Sequence, residues 1–85
     1  MEQNLEKIKD AIIGPMTDMN ILVDSVTYEQ EGSIRFLRIV LDKEEGIDLD
    51  TIVEATNVIN PIVDTFDFID ESYILDIVSK ERGVN

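Results

Sequence analysis

The run Leu37-Arg38-Ile39-Val40-Leu41, leading through Asp42-Lys43-Glu44-Glu45-Gly46 into Ile47-Asp48-Leu49-Asp50, constrains the fold more than any other part of the chain. Leu37, Ile39 and Leu41 alternate, which places three branched side chains on one face of a strand. The polar, glycine-containing link then ends that strand. Asp48 stands where a helix N-cap belongs, with a carboxylate able to accept hydrogen bonds from first-turn N–H groups. Asp50 adds negative charge beside the positive end of the helix dipole. A strand, a turn and a capped helix therefore follow one another with little latitude.

The flanking sequence completes the pattern. Leu5, Ile8, Ile12 and Met16 recur at spacings of three and four, so a first helix is expected over roughly Asn4 to Asp18. Gly14-Pro15 should distort that helix, which continues to about Met19. Ile21 to Glu29 is rich in β-branched residues and reads as a strand. Its apolar residues change parity at Asp24-Ser25, where a bulge would reconcile them. Gln30-Glu31-Gly32-Ser33 supplies a hairpin turn, with Gly32 available for positive φ. The second strand runs from Ile34 to Asp42, and its second face carries Ile34, Phe36, Arg38 and Val40.

After Asp48, the residues Leu49, Ile52, Val53, Thr56, Val58 and Ile59 give a helical stripe that Ile62 extends past Pro61. Asn60-Pro61 should disturb its last turn. Asp64 to Glu71 is an acidic connector with apolar plugs. Tyr73, Leu75 and Ile77 then alternate with Ile74, Asp76 and Val78 in a third strand, parallel to the second or to the first. The expected fold is a two-layer α+β domain of order α-β-β-α-β. Its three-stranded mixed sheet carries two helices on one face, because a right-handed crossover puts both there. The other face stays open.

Eighty-five residues make one domain, near the lower size at which folding needs no staples. The N-terminus lacks the basic start and apolar run of a signal peptide, and no stretch approaches a membrane span, so a cytoplasmic location is expected. Nineteen Asp and Glu face seven Lys and Arg, for a formal charge of −12. Such a surface repels nucleic acid and anionic lipid and suits a basic protein. Direct RNA binding by this domain is therefore not expected.

The chain contains neither His nor Cys, which removes the commonest general base and the soft metal ligands. Its serines have no histidine to activate them. Counted from Asp42 as the first position of a calcium loop, Gly46 falls fifth and Glu54 thirteenth. Such loops need glycine at the sixth and glutamate at the twelfth, so the register fails. No catalytic, cofactor or metal residue is assigned, and the chain is not expected to be an enzyme.

Three segments can now be read together: Leu37 to Lys43, then Gly46-Ile47-Asp48-Leu49-Asp50, then Tyr73-Ile74-Leu75-Asp76-Ile77-Val78-Ser79. In order and spacing they resemble the N-terminal domain of the RimP family of bacterial ribosome maturation factors. The passage from the first helix into Leu22-Val23-Asp24 and Val26-Thr27-Tyr28 is also similar. The resemblance implies a RimP-like N-terminal α/β domain over residues 1–79. Residues 80–85 would then be a tail, or the start of a linker to an SH3-like domain that is absent here. The family usually follows its last strand with Ser-Pro-Gly, whereas Ser79 is followed here by Lys80-Glu81-Arg82-Gly83. The implied function is assembly of the small (30S) ribosomal subunit, without catalysis and without a cofactor; the −12 charge separately favours contact through a basic ribosomal protein, and a monomer is expected. The candidate contact residues are Phe36, Arg38 and Val40 on the open sheet face, with Asp64, Asp67, Asp70 and Glu71 in the connector. Arg38 could equally serve as a cross-strand partner for an acid. The alternative function is an acidic protein-interaction domain with no ribosomal role.

Overall fold

The computed structural model describes residues 2–66 and 72–80. The first apolar stripe forms α1 (Glu2–Asp18), which buries Ile8, Ile12 and Met16 completely. Pro15 lies inside α1 without ending it. The preceding residue is Gly14, which lacks the Cβ that would crowd the proline ring. The helix closes on Asn20, whose φ of 62° is left-handed. Asn20 donates its backbone N–H to the Thr17 carbonyl at 2.9 Å, and Ile21 donates to Met16 at 2.8 Å. This pair of bonds is a Schellman motif, and Met16 and Ile21 are both buried beside it. Asparagine tolerates the left-handed region better than most residues; the helix ends where the sequence led us to expect, but its capping residue was not anticipated.

β1 (Leu22–Glu31) and β2 (Ile34–Asp42) pair antiparallel. The register shifts between Val23 and Ser25, so the expected bulge is present and returns Val26 and Tyr28 to the core side. β1 runs two residues further than expected, to Glu31, leaving only Gly32 and Ser33 in the turn. Gly32 takes φ 63° and Ser33 does not turn positive, the pattern of a hairpin with glycine first. The Gln30 side-chain amide donates to the Gly32 carbonyl at 3.0 Å and braces the turn.

Asp48 caps α2 (Leu49–Asp64), its carboxylate accepting from the Thr51 N–H at 2.8 Å. Pro61 sits within the helix, which continues to Asp64. β3 (Ile74–Ser79) then pairs parallel to β2, giving the sheet order β1-β2-β3 with β2 in the centre. The Lys80 N–H extends that pairing to the Leu41 carbonyl at 2.6 Å.

The central strand explains the core. Leu37, Ile39 and Leu41 are fully buried, and they meet Ile8, Ile12 and Met16 of α1 and Ala55, Ile59 and Val63 of α2 in one cluster. Both helices therefore cover the same face of the sheet. Among the described residues, no polar or charged side chain is buried, so the core carries no desolvated polar group.

Candidate partner-binding face

Alternation along β2 sends Ile34, Phe36, Arg38 and Val40 to the face opposite the helices. Register brings neighbours to each of them. Glu29 and Ile74 flank Phe36, Thr27 and Asp76 flank Arg38, and Ser25 and Val78 flank Val40. Glu31 stands opposite Ile34 at the hairpin end. The open face is thus a set of cross-strand rows, apolar at its hairpin end, charged in the middle and apolar again at Val40 and Val78.

Arg38 occupies the centre. Its Nη1 donates to Glu29 Oε1 at 2.6 Å, and its Nε donates to Asp76 Oδ2 at 2.9 Å. The Thr27 hydroxyl donates to the other Glu29 oxygen at 3.3 Å. The guanidinium carbon lies 5.6 Å from the centre of the Phe36 ring, within cation–π range. The hydrogen bond to Asp76, helped by the nearby Glu29 and Glu31 charges, raises the Arg38 pKa further above its ordinary value. Arg38 is therefore the cross-strand partner of two carboxylates, joining all three strands. The sequence could suggest an acidic partner for Arg38, but naming Glu29 and Asp76 required the bulge and the parallel register.

A second tie crosses the sheet nearer its other end, where Lys80 Nζ meets Asp24 Oδ1 at 3.1 Å. Asp24 lies within the bulge, so the same irregularity that corrects the strand parity supplies this carboxylate. Asp64 lies elsewhere, exposed at the end of α2 in the helical layer. Burial raises the Tyr73 hydroxyl pKa, and the Asp64 charge nearby adds to the shift. The fold does not bring Asp64 together with Phe36, Arg38 and Val40. Asp67, Asp70 and Glu71 lie outside the described residues.

Sequence reasoning placed Ile34 on this face without naming it as a contact and did not place Ile74 there; the two keep 48% and 49% of their surface exposed beside Phe36. Their signal was parity: Ile34 shares a face with Phe36, and Ile74 shares one with Asp76. Among the described residues, no group of three or more acids gathers as a metal site, and no helix is long and apolar enough to cross a membrane.

Comparison with protein families gives a match to the RimP N-terminal domain over residues 12–80, from the middle of α1 through the end of β3 to Lys80. That span holds the whole sheet, the capped α2 and every described residue of the open face. The chain belongs to the RimP family of ribosome maturation factors, a family of non-enzymatic assembly factors, and carries its N-terminal domain.

Proposed function

We propose that this protein is a non-enzymatic assembly factor that binds the immature small (30S) ribosomal subunit in the cytoplasm and promotes its maturation. The observation that carries this reading is the family match across residues 12–80. Charge narrows the partner. A net −12 chain meets a basic ribosomal protein more favourably than bare RNA, whose phosphates require cations to displace their counterions. Arg38 is already engaged by Glu29 and Asp76, which further disfavours phosphate as its ligand. The contact runs through the open sheet face, with Phe36 and Val40 touching the partner and Arg38 ordering the acids between them. The acidic stretch from Asp64 through Asp67, Asp70 and Glu71 adds long-range attraction that speeds encounter. The domain acts as a monomer, since like charge opposes self-association. Residues 1–79 form the domain, and residues 80–85 are a tail or the start of a linker to an SH3-like domain.

Deleting the gene and profiling ribosomal subunits tests the reading. Small-subunit precursors and unprocessed small-subunit RNA should accumulate. Normal levels of mature small subunits, without precursor RNA, would overturn it.

A further inference from the structure

The open face carries apolar residues at both ends: Val40, Val78 and Leu22 at one, and Ile34, Phe36 and Ile74 at the other, where an aromatic ring joins them. Ile34 and Ile74 flank the Phe36 ring beside the hairpin turn, each about half exposed. A single exposed isoleucine is ordinary, but two around an aromatic ring form a contiguous patch. The core does not need them, because the opposite face of the same strand is filled by Leu37, Ile39 and Leu41. The patch is bordered by the carboxylates of Glu29, Glu31 and Asp76. Arg38 holds two of these and leaves an excess of negative charge around an apolar centre.

We propose that Ile34, Phe36 and Ile74 anchor an extended lysine- or arginine-rich polypeptide segment that also carries apolar side chains. Arg38 is a positioning residue in this surface: it fixes Glu29 and Asp76 so that their remaining acceptor lone pairs meet the basic side chains of the segment. Charge selects the occupant. A second copy of the chain would bring two bodies of charge −12 together through acidic faces. A nucleic acid would meet carboxylates around a cation that is already paired. A basic segment finds opposite charge at the border and an apolar seat at the centre, with attraction that weakens as salt rises. The proposal rests on the reading of the partner as a basic protein and deepens it to a particular surface.

The test is a titration of the isotope-labelled 85-residue chain, followed by NMR amide shifts, with a short peptide alternating lysine and leucine. Shifts should concentrate at Ile34, Phe36 and Ile74 and diminish with added salt. The double variant Ile34→Ser/Ile74→Ser should bind about tenfold or more weakly while keeping a folded spectrum, since it removes much of the apolar seat. Val53→Ser, on the exposed side of α2, should bind as the parent does. Shifts centred on Leu49 and Val53, no shift at all, or the same shift map produced by oligouridine would overturn the proposal. Sedimentation with small-subunit precursors separates this surface from the ribosomal reading. If the parent and the double variant both cosediment, the surface is wrong and the ribosomal role stands. If neither cosediments while the peptide maps to the patch, the surface stands and the ribosomal role falls.

Discussion

Arg38 carries a two-sided electrostatic role, because it stands between Glu29 and Asp76. Each ion pair is partly exposed and weak by itself, but their removal leaves two carboxylates facing each other across the central strand. The variant Arg38→Met should therefore lower the urea midpoint at neutral pH. Its deficit should shrink as salt rises, because screening weakens the repulsion between the two partly exposed carboxylates. Equal deficits at low and high salt would mean that packing over Phe36, rather than charge, was lost. Arg38→Lys should recover little, since a point ammonium cannot reproduce the two-sided guanidinium contact.

Elements show how far local chemistry was legible. The second helix was readable because its start is written locally: Asp48 offers a carboxylate three residues before the Thr51 N–H that it accepts. That bond holds the Asp48 carboxyl below its ordinary range, with the Thr51 contacts as the largest cause. A depressed pKa in the folded state contributes stability above the unfolded pKa, and this is lost as pH falls through the folded value. Asp48→Asn keeps a capping oxygen without the charge. It should unfold with a shallower decline in acid than the parent, and an unchanged acid profile would contradict the assignment. The bulge was equally legible, because Val23 has the opposite parity to Val26 and Tyr28 and joins them on the core side only with an extra residue between, which leaves Leu22 on the open side. Other features were not. The end of α1 near Asp18 was readable, but the cap that closes it depends on Asn20, one left-handed residue of a type that also occurs in ordinary loops. The choice of β2 as the partner of β3 is tertiary, and with it came the row Glu29–Phe36–Ile74 that defines the open face. Periodicity names the residues of a face, whereas register decides which of them touch.

The whole molecule is a single core built against one strand, and that arrangement concentrates risk. Ile39 is fully buried where both helices converge. Ile39→Ala should cost about 2–5 kcal/mol, through lost transfer energy and an unfilled cavity. For a small domain this is a large share of a total stability of roughly 5–15 kcal/mol. The urea midpoint should fall sharply with little change in slope, and a drop within the range of a surface substitution would contradict a shared core. On the other side of the same sheet, nothing among the described residues covers Ile34, Phe36 and Ile74, so stability and recognition occupy opposite faces. A −12 molecule with an apolar patch in an acidic border is suited to a basic partner, and membership of the family implies a ribosome-related one. The most direct test is sedimentation of the chain with small-subunit precursors across a salt series. The account predicts binding at low salt that weakens progressively as salt rises; absence of binding at low salt, or binding indifferent to salt, would contradict it.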